Sequence, residues 1–528
     1  MFDEKGYVAL LLHAHLPFVR HPEYDEFLEE DWFYEAISET YLPLLEIFEG
    51  LAQDGIGFRL NMTISPSLAS MMNDELLRDR YLKHLYRLID LTGKEIERTR
   101  HQPEFNNLAW FYHTRFQKLR YLFEEKYKRD LISQFKRFQD AGYLEILTVG
   151  ATHGFLPLME EHPWAIRAQI MTARDYHRRC FGRDPKGIWL PECAYFNGVE
   201  RFLFEAEIRY FILDTHGLLY GRPTPIFGVY APIYTPYGIA AYGRDPESSK
   251  QVWSADEGYP GDYDYRDFYR DVGFDLDYDY IKPYIHPDGI RVFTGVKYYR
   301  ITGKTKHKEP YNRDAAIHKA AIHAGNFMFN REKQIEYLHS KLGIKPIVLA
   351  PYDAELFGHW WFEGPDFLNF FFRKSYYDQK VFKTLSLSEY LRQYPTQQIV
   401  NPARSSWGNK GYYEVWVEGS NAWIYPHLHM AEKRMNELAN YYYGKNEIDD
   451  RAIRQAAREL LLAQSSDWAF IMKTGTAVGY AHKRFSDHIL RFTRIYNEVK
   501  SHSVNLEWLK TIEERDNIFL DINIEYFK

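Results

Sequence analysis

The sequence predicts an α/β protein, with a parallel sheet that is either open or closed into a barrel, followed by a separate all-helical domain. Over the first two-thirds of the chain, short apolar runs typical of buried strands alternate with longer patterns typical of helices. Alternation of this kind builds parallel sheets. After about Asn401 the chain becomes rich in Trp and Gly and then takes on helical periodicity, which predicts the second domain.

Seven runs are predicted strands: Val8–Leu12, Phe58–Ile64, Leu144–Val149, Ile188–Leu190, Tyr210–Leu213, Val292–Val296 and Ile347–Leu349. The predicted helices are a helical insertion over about 70–140, then Ala165–Phe181, Asp314–Leu342, Met430–Tyr443, Asp449–Ser465 and His482–His502. Residues 217 to about 288 are dense in Gly, Pro, Tyr and Asp, and long loops tend to be functional. We therefore expect a catalytic domain over 1–400, with a long loop region at about 217–288, and a helical domain over 401–528.

The bulk properties exclude several classes of protein. A net charge of -7 argues against a nucleic-acid binder, which is usually basic. We find no run near the ~20 apolar residues of a membrane span. The first apolar run is also too short for a secretory signal. The two cysteines, Cys180 and Cys193, form neither a disulfide framework nor a CxxC pair. These observations predict a soluble, cytoplasmic protein, whereas its oligomeric state is not predicted.

Reactive side chains follow four of the predicted strands directly. These strand ends carry His13-Ala14-His15, Thr152-His153, Pro191-Glu192 and Tyr352-Asp353-Ala354-Glu355. In a parallel α/β barrel the carboxyl ends of the strands share one face, where active sites are built. We therefore expect these residues to meet in one pocket although they are far apart in the sequence.

The histidines leave three interpretations open. His13 and His15 point to the same side of a strand end, because strand side chains alternate. Such a pair could bind a metal, form hydrogen bonds to sugar hydroxyls or serve a structural role. His153 is followed by a glycine that lets a ligand approach the backbone, but a single histidine of this kind is more often structural.

The carboxylates point to glycoside chemistry. A carboxylate just beyond a buried strand must be paired or line a cavity, which holds for both Glu192 and Asp353. Apolar neighbours such as Trp360 would raise the pKa of Asp353, as a general acid requires. Glu355 is the competing acid, or else a residue that orients Asp353. Two carboxylates across an aromatic pocket suit cleavage of a glycosidic bond, and aromatic residues make up 17% of the chain.

Two other functions remain open at this point. A metal-dependent deacetylase or amidohydrolase could use His13, His15, His153 and Asp353. Against it, the sequence offers no second histidine pair and no lysine at a strand end. A non-catalytic glycan-binding protein is the other alternative.

Four short motifs, in this order, resemble glycoside hydrolase family 57: His13–Pro17, Gly150–Gly154, Trp189–Glu192 and Tyr352–Glu355. The resemblance implies a catalytic (β/α)7 barrel with a helical insertion and a C-terminal helical domain. It also implies that Glu192 is the nucleophile and Asp353 the general acid/base, without a metal or another cofactor. The substrate-contacting residues that it implies are His13, His15, His153, Trp407 and Trp416.

Further stretches are similar to the branching-enzyme-like subgroup of this family: Gly243–Glu247, Val252–Ser254, Gly258–Asp262 and Ser405–Gly408. Members of that subgroup have been called α-amylases as well as 1,4-α-glucan branching enzymes. The resemblance therefore implies an α-1,4-glucan substrate such as amylose, starch or glycogen, and leaves the acceptor open between water and a 6-hydroxyl. Trp253 and Trp360 are further candidates for contact with the glucan.

Overall fold

The structure is a computed structural model and describes residues 3–253 and 258–528. Ser254 of the subgroup motif lies outside these described residues. The strands are β1 (Gly6–Ala14), β2 (Leu60–Ile64), β3 (Leu144–Val149), β4 (Gly187–Trp189), β5 (Tyr210–Leu213), β6 (Ile233–Tyr234), β7 (Ala240–Gly243), β8 (Ile347–Asp353) and β9 (Phe382–Thr384).

Seven parallel strands form the centre of the molecule, in the order β7-β5-β4-β3-β2-β1-β8. Strand β6 is antiparallel to β7, and β9 is parallel to the start of β1. Just after β7, the Asp245 N–H donates to the Leu349 carbonyl of β8 at 2.9 Å, so the two ends of the sheet approach each other. The predicted α/β fold with a (β/α)7 barrel is confirmed.

The strand predictions are confirmed at six of seven places, with shifts of one or two residues at several ends and an extension of β8 by four residues to Asp353. The predicted strand Val292–Val296 is wrong. Its backbone N–H groups are satisfied by a side chain and not by a neighbouring strand, because the buried Asp271 carboxylate accepts from the N–H groups of Thr294 and Gly295. The region predicted as one long loop, 217–288, contains β7, whose four residues are too few and too small to form a visible pattern.

Helices surround the barrel and form most of the C-terminal third. Their bounds are α1 (Glu30–Ala36), α2 (Leu42–Gln53), α3 (Pro66–Asn73), α4 (Glu75–Arg98), α5 (Pro103–Arg120), α6 (Leu131–Asp140), α7 (Pro163–Phe181), α8 (Val199–Glu205), α9 (Thr215–Leu219), α10 (Pro246–Trp253), α11 (Val272–Asp275), α12 (Tyr278–Ile281), α13 (Arg313–Leu342), α14 (Gly364–Tyr377), α15 (Leu387–Gln393), α16 (Ile424–Tyr441), α17 (Glu447–Ala463), α18 (Ser466–Thr474), α19 (Val478–Lys500) and α20 (Leu506–Arg515). Among the described residues, none of these helices combines the length and the apolar character that a membrane crossing requires.

The C-terminal third is joined to the carboxyl ends of the barrel strands by backbone hydrogen bonds. The Tyr195 N–H, just after β4, donates to the Ser405 carbonyl at 2.8 Å. The Ser466 N–H, at the start of α18, donates to the His153 carbonyl at 3.0 Å. These bonds bring residues of the C-terminal third to the face of the barrel where the candidate site lies. A domain boundary near residue 400 stays a prediction.

Candidate active site

Glu192 lies in a tight turn directly after β4. Its backbone has a φ of 62°, and the next residue, Cys193, has a φ of 48°. Non-glycine residues in this left-handed region cost of order 1–3 kcal/mol and cluster at functional sites. The turn is held from outside the barrel, since the Trp407 N–H donates to the Glu192 carbonyl at 2.9 Å.

The Glu192 carboxylate accepts one hydrogen bond on each oxygen. Trp407 Nε1 donates to Oε2 at 2.7 Å, and Ser466 Oγ donates to Oε1 at 2.9 Å. Burial raises the pKa of Glu192 to about 7, while both donors favour the ionised form and lower it. Glu192 is therefore a buried carboxyl that is partly ionised near neutral pH and ionised at alkaline pH.

Asp353, the last residue of β8, has a contrasting environment. It lies opposite His13 in the register of β1 and β8. From the part of the chain that the structure describes, no hydrogen bond reaches its carboxyl group. Burial, followed by the charges of Glu355 and Glu192, raises its pKa well above the usual range, against an opposing effect of Arg244. Asp353 therefore favours its protonated form.

Glu355 lies two residues beyond Asp353 and is held by the phenol of Tyr41, which donates to Oε1. Tyr41 ends a π-helical turn, Ile37–Tyr41, and such turns occur frequently at functional sites. Burial raises the pKa of Glu355 to about 7, and the Tyr41 hydrogen bond lowers it. The negative charge of Glu355 in turn raises the pKa of Asp353.

Two of the three histidines are neutral and in contact with each other. His13 Nε2 and His153 Nε2 are 3.1 Å apart, and the His13 ring stacks on Trp189 with centroids 4.7 Å apart. His13 Nδ1 is bonded to Thr63 Oγ1 at 2.8 Å, and His153 Nδ1 to Ser466 Oγ at 2.8 Å. Burial and the neighbouring histidine charges lower the pKa of both rings well below the usual value.

His15 has the opposite charge preference. Its ring stacks on His153 with centroids 3.9 Å apart, and its Nε2 lies 3.0 Å from the Asp467 carboxylate. Burial lowers the pKa of His15, but Asp467, with Glu192 and Glu355, outweighs burial and raises it. Burial raises the pKa of Asp467, and His15 outweighs that effect and lowers it to about 2. His15 and Asp467 therefore form an ion pair.

His15, His153 and Asp467 present ligand atoms within 4.8 Å of one another, which is close enough to hold a metal ion. His15 Nδ1 is also bonded to Ser65 and Asp467 to Ser465, while His15 Nε2 and Asp467 are paired with each other. The acidic member of this group is Asp467 and not Asp353. The ligand set predicted for a metal-dependent hydrolase, which included Asp353, is therefore not the one that the fold brings together.

The four candidate tryptophans lie in different environments. Trp407 contacts Glu192 as described, and Trp253 lies edge-on to Trp407 with ring centroids 6.2 Å apart. Trp360 is 53% exposed and stacks on Phe268 at the rim. Trp416 is 1% exposed and stacks on Phe155, so it offers no free ring face to a sugar.

Sequence reasoning missed the residues that support the catalytic groups. Ser466 and Asp467 read as ordinary polar residues at a helix start, where serine and aspartate are favoured as caps. Tyr41 lies within an apolar helical pattern, so its sequence context does not distinguish it from a core residue. For Arg244, the subgroup motif in which it lies was an available signal.

The carboxyl ends of the parallel strands carry two buried carboxyl groups in different environments, beside a cluster of histidines. This arrangement is typical of carbohydrate-active barrel enzymes. A sequence model described as glycosyl hydrolase family 57 matches residues 9–403, and one described as 1,4-alpha-glucan branching enzyme, C-terminal, matches residues 427–527. The chain belongs to glycoside hydrolase family 57.

Relatives of two descriptions support this assignment. The chain is 34% identical to a 1,4-alpha-glucan branching enzyme of Thermococcus kodakarensis, over 98% of this chain and 77% of that protein. A solved structure of that branching enzyme covers 99% of this chain and 96% of its own, with a TM-score of 0.89 and 32% identity. The alpha-amylase AmyC from Thermotoga maritima has a TM-score of 0.93 and 44% identity, with 99% of both chains covered.

Proposed function

We propose that this enzyme cleaves α-1,4-glucosidic bonds of amylose, starch or glycogen through a covalent intermediate on Glu192. It then passes the glucan to a 6-hydroxyl, as a branching enzyme does, and in part to water, as an α-amylase does. The observation that carries the proposal is the contrast between two buried carboxyl groups at the carboxyl ends of β4 and β8. Glu192 accepts two hydrogen bonds that favour its ionised form against the effect of burial, whereas Asp353 accepts none from the described residues and has its pKa raised well above the usual range.

In the first step, Asp353 donates its proton to the glycosidic oxygen while a Glu192 oxygen attacks the anomeric carbon. The bond between that carbon and the glycosidic oxygen breaks, and the freed chain leaves with a new hydroxyl group. An α-linked sugar becomes a β-linked glycosyl ester of Glu192. Asp353 is left as a carboxylate.

In the second step, the Asp353 carboxylate takes the proton of the acceptor hydroxyl, whose oxygen attacks the same anomeric carbon. The ester bond to Glu192 breaks and releases its carboxylate. Two inversions give net retention of the α configuration. The carboxyl groups of such enzymes are about 5–5.5 Å apart, which leaves no room for a water between nucleophile and sugar.

The histidine cluster suits the binding of the sugar at the cleavage point. His13 and His153 favour the neutral form, and His15 favours the protonated form. Their ring nitrogens already have protein partners, so a sugar hydroxyl would bind there by replacing one of those hydrogen bonds. Hydrogen bonds that tighten as the ring flattens toward the transition state raise kcat. Trp407 and Trp253 supply flat apolar faces beside the nucleophile.

The choice of acceptor follows from access to the intermediate. Water is always abundant, so transfer to a 6-hydroxyl needs a formed acceptor site that excludes water. The region 217–288 carries exposed tyrosines, among them Tyr237 and Tyr263, that could bind an acceptor chain. Both descriptions of the relatives, branching enzyme and alpha-amylase, are consistent with an enzyme that divides its intermediate between two acceptors.

Product analysis on amylose tests the proposal. The protein is incubated with amylose, reducing ends are measured, and the product is digested with a debranching enzyme. New short chains after debranching report transfer, whereas reducing ends without them report hydrolysis alone. Glu192→Ala should abolish both signals and retain glucan binding, and Glu507→Ala, at an exposed glutamate of α20, is the matched control. Turnover that persists in Glu192→Ala contradicts the proposal.

A further inference from the structure

A partly enclosed cavity of about 200 Å³ lies between α1, α4 and the segment around residues 284–294, outside the catalytic cluster. Its walls include Asp31, Tyr34, Arg87, Tyr284 and Phe293. By this measure of volume, one water needs only roughly 10–15 Å³. The cavity therefore has room for a sugar ring.

Two arginines of the cavity wall are paired with carboxylates, whereas Asp25, Asp31 and Lys83 have no ion pair with the described residues. Arg80 Nη1 lies 2.6 Å from Glu30 Oε1, and Arg87 Nη2 lies 2.9 Å from Glu26 Oε2. Asp31 receives no hydrogen bond from the described residues. Burial raises its pKa to about 7, so this carboxyl group can both donate to and accept from a hydroxyl group. A neutral polyhydroxyl ligand fits these walls better than an ion, since carboxylates and cationic side chains both line the cavity.

An aromatic track joins the cavity to the loop that follows the catalytic strand β8. Phe293 in the cavity wall contacts Phe268, with ring centroids 5.5 Å apart. Phe268 stacks on the exposed Trp360 with centroids 4.4 Å apart, in the loop beyond Asp353. Trp360 is 53% exposed and offers aromatic surface to a sugar ring, and Phe268 and Phe293 connect it to the cavity through packed ring contacts.

The helix that carries Asp31 gives a second connection. Glu35, one turn further along α1, lies 3.6 Å from His359 Nε2, and His359 directly precedes Trp360. The cavity and the rim of the catalytic site are therefore linked through α1 and the loop that follows β8.

We infer that this cavity is a remote glucan subsite, which holds a non-reacting glucosyl unit of a chain bound across the catalytic site and along the track of Trp360, Phe268 and Phe293. The inference rests on the proposed function. A remote subsite gives long chains extra binding energy that short chains cannot use. It would make the enzyme select for chain length.

Binding measurements in an inactive protein test the inference. In a Glu192→Gln background, calorimetry gives the affinity for maltotriose, for a graded series of longer maltooligosaccharides and for amylose. Adding Asp31→Ala should weaken amylose binding about tenfold, because a hydrogen bond to an ionisable group is lost. Maltotriose binding should stay as in the parent. Asp79→Ala, which removes an exposed aspartate of the same helical insertion, is the matched control and should change neither value.

A second variant controls for the possibility that Asp31→Ala misfolds. A second measurement distinguishes failure of the subsite from failure of the proposed function. Phe293→Ala should reproduce the selective loss of long-chain affinity, with its thermal unfolding midpoint recorded alongside. Equal loss for maltotriose and amylose, or no loss for either, overturns the inference. Turnover of amylose by wild type is measured separately. If turnover occurs without selective loss, the subsite is refuted and the proposed function stands, whereas absence of turnover refutes the function itself.

Discussion

Trp407 Nε1 donates a 2.7 Å hydrogen bond to Oε2 of Glu192, so a residue beyond the barrel strands controls the charge of the proposed nucleophile. Ser466, at the start of α18, donates to the other oxygen. Both donors come from the C-terminal third of the chain. The barrel supplies the reacting carboxyl group, and the docked C-terminal segment determines how readily that group ionises.

Trp407→Phe should move the acidic limb of the kcat/KM profile to higher pH. The indole hydrogen bond favours the carboxylate of Glu192, so its loss raises a pKa that already lies at about 7. Less nucleophile is then ionised at neutral pH, and kcat/KM should fall about tenfold or more there. Trp110→Phe, at an exposed tryptophan of α5, is the matched control. An unchanged acidic limb would show that Trp407 does not control the pKa of Glu192.

The separate roles of Glu192 and Asp353 predict opposite stereochemistry of rescue by azide. With an activated aryl α-glycoside, Asp353→Ala still forms the ester on Glu192, and azide then attacks it to give an α-glycosyl azide. Glu192→Ala forms no ester, so azide attacks the substrate directly and gives the β-glycosyl azide. NMR of the products distinguishes the two anomers. The same anomer from both variants would contradict the assignment of roles.

The sequence predicted the proposed reacting residues because the ends of buried strands can be recognised in it. Buried apolar runs followed at once by His13, Glu192 or Asp353 predict convergence in any parallel barrel. Ser466 and Asp467 could not be found in this way, since their proximity to Glu192 and His15 depends on how the helical third docks. The same docking buries Trp416, which looked like a cleft residue beside Trp407 in the sequence.

The failed strand prediction has a local cause of the same kind. The apolar residues of Val292–Val296 fit a buried strand, but the carboxylate of Asp271, 23 and 24 residues earlier in the chain, accepts the N–H groups of Thr294 and Gly295. When a side chain accepts the backbone hydrogen bonds that a neighbouring strand would otherwise accept, the sequence shows no periodic pattern that reveals it. A hydrophobic pattern therefore predicts that a segment is buried more reliably than it predicts which groups form hydrogen bonds with the backbone of that segment.

Asp467→Asn should destabilise the protein most between about pH 4 and pH 6.5. Asp467 has its pKa lowered from 3.8 to about 2, so its contribution is present above 3.8 and is lost as the pH falls toward 2. His15 has its pKa raised above 6.5, so its contribution is present below 6.5 and is lost as the pH rises through the folded value. Within this window the substitution should cost about 2 kcal/mol.

Thermal unfolding midpoints measured on both sides of that window check this prediction. The deficit of Asp467→Asn relative to wild type should shrink at alkaline pH, where His15 is neutral in both proteins. Asp54→Asn, which weakens a surface ion pair with Arg373, is the control and should show no such window. A deficit that does not vary with pH would indicate packing and not an ion pair.

Tyr41→Phe should move the basic limb of the pH profile to lower pH, although Tyr41 has no hydrogen bond to Asp353. The Tyr41 hydroxyl favours the carboxylate form of Glu355, so its removal raises the pKa of Glu355 and leaves that group more often neutral. A neutral Glu355 no longer repels the charge of Asp353, and the raised pKa of Asp353 falls. Because Asp353 must be protonated to act as the acid, activity is lost at a lower pH than in wild type. Phe substitution at Tyr86, an exposed tyrosine of α4, is the control, and a basic limb that moves upward in Tyr41→Phe would contradict this coupling.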